Sequence, residues 1–180
     1  FIGFICNYPK SSRYVELNFL KKLLNVKKNK SKFVAVLVKP NKEILEGIKN
    51  LPFDYYQLYG CSPNEVRKIK ETYKKKIITA ITIENKDDVI KYKDYENVSD
   101  IILFDGPGMA ESIGFNHDLL NDVPEHISKM IAGNIKIEDL PNFKNKDWIL
   151  DVSGSLESER GVKDINKIDK FLNTVHNINT

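Results

Sequence analysis

The stretch "FIGFICNYPKSSRYVE" (residues 1–16) contains the pattern that decides the fold. Its first five residues are apolar or glycine, which is the composition of a β-strand buried on both faces. A turn-forming segment, "NYPKSS", follows, and a helix is predicted to begin after it. The stretch therefore predicts one strand–loop–helix unit.

The same unit recurs along the chain. Apolar runs alternate with amphipathic stretches in which apolar residues lie three or four positions apart, as at Val66, Ile69 and Tyr73. Ser62 before Pro63, and Asp164 further along, are typical residues at which a helix begins. The predicted strands are residues 1–5, 33–38, 54–58, 76–81, 100–104, 127–132 and 147–152.

Strands that alternate with helices pair in parallel through right-handed crossovers. Both an open doubly wound sheet and a TIM (β/α)₈ barrel have this organisation, and the short, even spacing of the runs favours the barrel. A barrel needs eight strands, whereas the pattern supplies seven. We therefore predict an α/β fold in which residues 1–180 form a single, incomplete (β/α) barrel domain.

Composition excludes several function classes. Among 180 residues, 41% are hydrophobic and no apolar run approaches the roughly 20 residues that span a bilayer. Lys and Arg number 28 against 25 Asp and Glu, and the lysines are scattered among acids without interleaved stacking aromatics. The sequence therefore predicts no membrane partner and no nucleic-acid partner. The absence of a signal-peptide pattern favours a cytoplasmic location.

The cysteines and histidines do not indicate a metal site. Cys6 and Cys61 are far apart and belong to no CxxC pair, which indicates a reducing compartment and argues against a disulfide framework or structural zinc. The histidines, which lie at positions 117, 126 and 176, lack metal-ligand spacing. The cysteine and histidine pattern therefore predicts no metal site.

Small residues end the last two predicted strands. Gly133 ends one, and Ser153, Gly154 and Ser155 follow the other. Small residues let backbone N–H groups approach a phosphate, and barrels frequently bind phosphate in the loops after their last two strands. The alternative is a pair of ordinary small-residue turns.

Two charged residues also lie at predicted strand ends. Asp105 follows four apolar residues, where partial desolvation would raise its pKa and suit it to general acid catalysis; alternatively it simply begins the turn before Gly106 and Pro107. Arg13 stands in a chain whose usual cation is lysine, which suggests bidentate recognition of a carboxylate or phosphate; the alternative is a surface cation.

These stretches together resemble the phosphoribosylanthranilate isomerase family of tryptophan biosynthesis. Collinear similarity covers essentially the whole chain and includes "GFICNYPKSSRYV", "VAVLVKP", "YYQLYG", "ILFDG", "IAGNI" and "LDVSGSLESERGVKD". The resemblance implies a TIM barrel of which the first βα unit is absent here, with the strands at 1–5 and 147–152 at the two ends of the sheet. It also implies that the sequence is an N-terminally truncated copy.

The resemblance implies the Amadori rearrangement of N-(5-phosphoribosyl)anthranilate to 1-(2-carboxyphenylamino)-1-deoxyribulose 5-phosphate. Asp105 would be the general acid, and Arg13 and Gln57 would bind the substrate. Gly133, Asn134, Asp151 and the Ser153–Ser155 loop would hold the phosphate. The partner would be this small molecule, with no cofactor, and the resemblance leaves the oligomeric state open.

The family's general base, a cysteine on the first strand, has no counterpart in Cys6 or Cys61, so we expect negligible activity from these 180 residues alone. Three departures from the family concern the site: Tyr59 replaces a histidine, Asn134 replaces a glycine, and the segment 106–116 differs. The alternatives are another phosphosugar barrel enzyme, of the epimerase or indole-forming type, and a degenerate barrel that binds phosphate without catalysis.

Overall fold

The computed structural model describes residues 1–108 and 113–179 and contains the predicted alternation of strands and helices. The strands are β1 Ile2–Ile5, β2 Phe33–Val38, β3 Tyr55–Tyr59, β4 Lys76–Thr82, β5 Ile101–Asp105, β6 Lys129–Ile131, β7 Trp148–Leu150, β8 Glu157–Glu159 and β9 Val162–Lys163. The α-helices are α1 Leu17–Leu23, α2 Lys42–Ile48, α3 Pro63–Tyr73, α4 Lys86–Val89, α5 Tyr92–Tyr95 and α6 Ile165–Asn179. Short 3₁₀-helices cover His117–Leu120, Ile137–Phe143 and Gly154–Leu156.

Strands β1 to β7 form one sheet in chain order, and β8 pairs with β9 in a separate antiparallel ribbon. The pairs β1–β2, β2–β3, β3–β4 and β6–β7 are parallel. The α/β fold class predicted from the sequence is therefore confirmed. β1 and β7 are the first and last members of the order, as predicted.

The predicted helix starts are confirmed by their capping hydrogen bonds. Ser62 and Glu65 form a capping box at the start of α3, where Pro63 occupies the first turn. The Asp164 carboxylate accepts hydrogen bonds from the backbone N–H groups of Asn166 and Lys167 at the start of α6, at 2.9 and 3.2 Å.

One burial prediction is wrong. β1 was expected to be buried on both faces, but Phe1 and Ile2 are 52% and 45% exposed, and Phe4 and Ile5 are only half-buried. The reason is the position of β1 at the end of the strand order, where β2 is its one neighbour in the order.

Three amphipathic segments do not form the single α-helices that their patterns suggest. Residues 86–95 form two separate four-residue helices, α4 and α5. Residues 117–120 and 137–143 form 3₁₀-helices, and the second contains Pro141. Proline lacks the N–H that an α-helix requires, which accounts for the second of these differences.

The chain consists of two compact units, which are residues 1–81 with 90–102 and residues 82–89 with 103–180. In the first unit, alternate residues of β2 and β3 pack against α2 and α3. Phe33, Leu37 and Leu58 lie in this core with Ile48 and Val66. The intervening residues of the two strands, which include Gln57, lie on the opposite face of the sheet.

In the second unit, α6 contacts the 3₁₀-helices at 137–143 and 154–156. The carboxyl ends of β5, β6 and β7 are joined by two backbone hydrogen bonds. Ala132 N–H donates to the Phe104 carbonyl at 2.9 Å, and Asp151 N–H donates to the Ile131 carbonyl at 2.8 Å. These bonds place the predicted site residues after β5, β6 and β7 beside one another.

Candidate active site

Asp105 is the last residue of β5 and is half-buried. Its backbone carbonyl accepts a hydrogen bond from Ile83 N–H at 2.8 Å, which fixes the end of the strand. Gly106 follows, and a β-carbon at that position would lie 1.7 Å from the carbonyl oxygen of Ile113. The backbone on either side of residues 109–112, which lie outside the described residues, therefore approaches too closely for any side chain at position 106.

Gly133 and Asn134 form a left-handed turn after β6, with φ of 98° and 54°. A β-carbon on Gly133 would lie 3.0 Å from the Ile113 carbonyl oxygen and 3.2 Å from the Gly106 nitrogen, so the loops after β5 and β6 pack directly together. Asparagine adopts left-handed φ more readily than most residues. Asn134 therefore accommodates the turn even though a glycine was expected there.

The loop after β7 is fastened to the loop after β6. The Ser155 hydroxyl donates a hydrogen bond to the Ile135 carbonyl at 2.7 Å. This bond uses the hydroxyl hydrogen of Ser155. The structure thus brings together the two predicted phosphate loops.

Four backbone N–H groups of these loops have no hydrogen-bond partner within the described part of the chain. They belong to Gly133, Asn134, Gly154 and Ser155. Unpartnered N–H groups in or near a protein interior are costly and rare, because most are satisfied by protein, water or ligand. Four of them in neighbouring loops form an arrangement that can accept an anion.

Asp151 lies directly after β7 and is half-buried. Its N–H is engaged in the strand ladder through the Ile131 carbonyl. The structure therefore places Asp151 beside the phosphate loops, two residues before Ser153.

Arg13 lies in the first unit, in a loop whose backbone is fixed at several points. The buried Ser11 hydroxyl accepts a hydrogen bond from Arg13 N–H at 3.1 Å. The Asn7 side chain makes two hydrogen bonds of 2.8 Å with the Val38 backbone. Its amide NH₂ group donates to the Val38 carbonyl, and its amide oxygen accepts from the Val38 N–H. This loop is consequently anchored to the end of β2, although the sequence suggests only a turn.

Gln57 and Tyr59 share one face of β3. Gln57 is 5% exposed, and its amide donates to the Tyr59 hydroxyl at 3.2 Å. On the neighbouring strands Val36 and Ile78 stand opposite Gln57 in the register, so this polar pair has apolar cross-strand neighbours. The predicted substrate residue Gln57 is thus partnered by the residue that replaces the family's histidine.

Neither cysteine is suited to act as a base. Both are buried free thiols. Burial raises the pKa of Cys6 to about 12 and that of Cys61 to about 11, so both remain protonated at neutral pH.

Lys163 is a residue near the site that sequence reasoning missed. Its ammonium donates to the carbonyl and the hydroxyl of Ser153 at 2.8 and 3.0 Å and pairs with the Glu157 carboxylate at 2.8 Å. The hairpin of β8 and β9 creates this contact, because it places Glu157 opposite Lys163 in the antiparallel register. In the sequence, the one indication of this contact was that Ser153 and Lys163 both lie in the segment "LDVSGSLESERGVKD".

Within residues 1–108 and 113–179, no group of three or more His, Cys, Asp or Glu side chains could hold a metal ion. Among the described helices, none has the length and apolar character needed to cross a membrane.

Comparisons with known proteins agree with the sequence resemblance. Residues 3–174 match the family model of N-(5'phosphoribosyl)anthranilate (PRA) isomerase. An N-(5'-phosphoribosyl)anthranilate isomerase from Rhizobium johnstonii is 33% identical over 190 aligned positions, which cover 99% of this chain and 85% of that protein. The enzyme of the same name from a Sulfurihydrogenibium species is also 33% identical, with coverage of 98% and 88%.

Solved structures give the same result for the fold. Phosphoribosyl anthranilate isomerase from Thermotoga maritima superposes with a TM-score of 0.85 at 22% identity, over 97% of this chain and 87% of that one. The Thermus thermophilus enzyme also gives 0.85, at 18% identity, over 98% and 87%. The family match, the curated relatives and the shared fold lead to one conclusion: this chain belongs to the N-(5'-phosphoribosyl)anthranilate isomerase family.

Proposed function

We propose that this protein converts N-(5'-phosphoribosyl)anthranilate to 1-(2-carboxyphenylamino)-1-deoxyribulose 5-phosphate in tryptophan biosynthesis. The observation that carries the proposal is the set of four unpartnered backbone N–H groups after β6 and β7, beside the end of β5, in a member of this family. A related structure from the family was solved in complex with reduced 1-(o-carboxyphenylamino)-1-deoxyribulose 5-phosphate. Two free cysteines are consistent with the cytoplasmic location that we propose.

The phosphate of the substrate binds the loops after β6 and β7. Backbone N–H groups stabilise a phosphate dianion without a desolvated counter-charge, and Gly133 and Asn134 contribute two successive N–H groups from the turn after β6. Asp151 contributes by fixing the start of the second loop through its ladder hydrogen bond.

Asp105 acts as the general acid. It protonates the ribose ring oxygen, so that the C1–O bond breaks and a Schiff base forms between C1 and the anthranilate nitrogen. Loss of the C2 proton to a base then gives an enaminol. Protonation of the enaminol at C1, with loss of the proton on the C2 hydroxyl, gives the ketone product. The imine accepts the electron pair from C2, so C1 is reduced as C2 is oxidised, and the net reaction is an isomerisation.

Arg13 and Gln57 bind the anthranilate part of the substrate. An arginine matches a carboxylate through two parallel N–H donors, and the anchored loop at Asn7 and Ser11 restricts the backbone that carries Arg13. Gln57 supplies an amide whose position is restrained by Tyr59.

The proposal requires a base other than Cys6 or Cys61, because burial keeps both thiols protonated. The test therefore uses the chain preceded by the first strand and helix of the Sulfurihydrogenibium relative, hereafter the extended chain. The added segment supplies the general base that the family carries on its first strand, so the test needs no knowledge of any residues that precede Phe1 in the natural protein.

The experiment measures product formation by chromatography with three substrates: N-(5'-phosphoribosyl)anthranilate, ribulose 5-phosphate and indole-3-glycerol phosphate. We expect turnover of the first and none of the other two. Turnover of ribulose 5-phosphate would favour an epimerase instead. Binding of phosphate without turnover of any of the three would favour a non-catalytic barrel.

A further inference from the structure

We propose that Lys163, held by Glu157, is a positioning residue that sets the Ser153 hydroxyl as a hydrogen-bond donor to the bound phosphate. This inference rests on the proposed function, since it concerns the same phosphate loops. It adds Lys163 and Glu157, which lie in the hairpin of β8 and β9.

The ammonium of Lys163 has three N–H donors. The structure gives each of them one acceptor: the Ser153 carbonyl at 2.8 Å, the Ser153 hydroxyl oxygen at 3.0 Å and a Glu157 carboxylate oxygen at 2.8 Å. Lys163 therefore donates to both hydrogen-bond acceptors of Ser153, which are its carbonyl oxygen and its hydroxyl oxygen.

The direction of the hydroxyl follows from this contact. An ammonium cannot accept a hydrogen bond, so the Ser153 oxygen must be the acceptor and its hydrogen must point elsewhere. The next two residues, Gly154 and Ser155, present unpartnered N–H groups. A phosphate oxygen bound to those groups is the acceptor that this arrangement provides for the Ser153 hydrogen.

Glu157 explains why Lys163 stays in place. The Glu157 side chain is 5% exposed, whereas that of Lys163 is 42% exposed. A buried carboxylate is strongly destabilising unless it is paired and hydrogen-bonded. Gly161 N–H donates to its second oxygen at 3.1 Å, so the hairpin orients the carboxylate and the carboxylate orients the lysine.

Lys167 offers a matched control. Its ammonium donates to the Glu157 backbone carbonyl at 2.6 Å. Lys167 is thus a nearby cation that also braces the hairpin, but none of its hydrogen bonds in the described structure reaches Ser153. Replacing it removes the same charge without changing the hydroxyl.

The experiment measures the Kd of inorganic phosphate by calorimetry at fixed ionic strength, on the 180-residue chain. Lys163→Met is made in a Glu157→Gln background: the amide oxygen of the glutamine can still accept a hydrogen bond from Lys163, and no unpaired buried carboxylate is left when Lys163 is replaced. We expect Glu157→Gln to bind phosphate, and the added Lys163→Met to raise the Kd about tenfold, the size typical for a hydrogen bond to a charged group. Lys167→Met in the same background should leave the Kd unchanged.

A second comparison, with and without Ser153→Ala, tests whether Lys163 acts through the Ser153 hydroxyl or only through its charge. If Lys163 acts through the hydroxyl, Lys163→Met should raise the Kd less when Ser153→Ala is already present. An equal effect with and without the hydroxyl would overturn the inference, as would equal losses from Lys163→Met and Lys167→Met. Phosphate binding that depends on Ser153 but not on Lys163 would overturn this inference alone. No phosphate binding by the wild-type chain would remove the proposed phosphate site as well.

Discussion

The carbonyl oxygen of Ile113 occupies the space in which residue 106 would carry a side chain. A β-carbon on Gly106 would lie 1.7 Å from that oxygen, and Gly106 directly follows the proposed general acid Asp105. Ile113 therefore lies directly against Gly106, next to Asp105.

Gly106→Ala should impair both folding and catalysis. The new methyl group must displace the Ile113 backbone, which should cost about 1–3 kcal/mol of unfolding free energy, as overpacking usually does. Movement of the neighbouring Asp105 should lower kcat of the extended chain by about tenfold to a hundredfold. Urea denaturation and steady-state kinetics measure the two effects.

Gly114→Ala is the matched control for this substitution. A β-carbon there would lie 3.4 Å from the Gly133 carbonyl oxygen, which is close to an ordinary contact. We expect near wild-type stability and kcat. Equal losses from both substitutions would contradict the role given to the contact between Gly106 and Ile113.

The hydroxyl of Tyr56 should destabilise the folded protein, and the hydroxyl of Tyr95 should stabilise it. Tyr56 is fully buried and its hydroxyl has no hydrogen-bond partner among the described residues, whereas the Tyr95 hydroxyl donates to the Cys61 carbonyl at 2.9 Å. Tyr56→Phe should raise the free energy of unfolding by about 1 kcal/mol, and Tyr95→Phe should lower it by about 1 kcal/mol. Urea denaturation of both variants tests this, and a loss of stability in Tyr56→Phe would contradict it.

His117 should make stability depend on pH. Its ring packs between Phe115 and Phe143, and burial lowers its pKa below the usual 6.5, although a contact with the Ala132 carbonyl opposes the shift. As pH falls below about 6.5, the unfolded chain binds the proton before the folded chain does. The stability that depends on neutral His117 is therefore present above this pH and is lost as pH falls towards the folded-state pKa.

The measurement is the difference in unfolding free energy between pH 7.5 and pH 5.5 for the wild type and for His117→Gln. The wild type should lose more stability over this interval, because the variant lacks the titrating ring. A packing defect in the variant shifts both values equally and does not affect the comparison. Identical losses in the two proteins would show that His117 does not titrate differently on folding.

The strand–helix alternation and the helix starts at Ser62 and Asp164 could be predicted because hydrophobic periodicity and capping are local. The burial of β1 could not, because exposure at Phe1 and Ile2 depends on which strands lie next to it. The hairpin of β8 and β9 was missed because "ESE" and "VK" carry no alternating apolar pattern, and its pairing depends on Glu157 and Lys163.

Some features of the candidate site could likewise be predicted from the sequence, and others could not. The proximity of Asp105, Gly133 and the Ser153–Ser155 loop could be predicted, because parallel strands end at one edge of a sheet. The tolerance of Asn134 for left-handed φ and the fastening of Ser155 to Ile135 required coordinates. Lys163 was missed because its partner Ser153 lies ten residues away and the turn that joins them is polar.

In the proposed reaction, Asp105 protonates the ribose ring oxygen of the substrate. The decisive measurement is of kcat and KM for the extended chain that carries Asp105→Asn. The control is Asp122→Asn, at an exposed site whose ion pair with Lys86 is 3.5 Å long. We predict that Asp105→Asn lowers kcat at least about a hundredfold, as loss of a general acid does, with little change in KM. Asp122→Asn should keep wild-type kinetics. A kcat for Asp105→Asn close to that of the wild type would contradict the account.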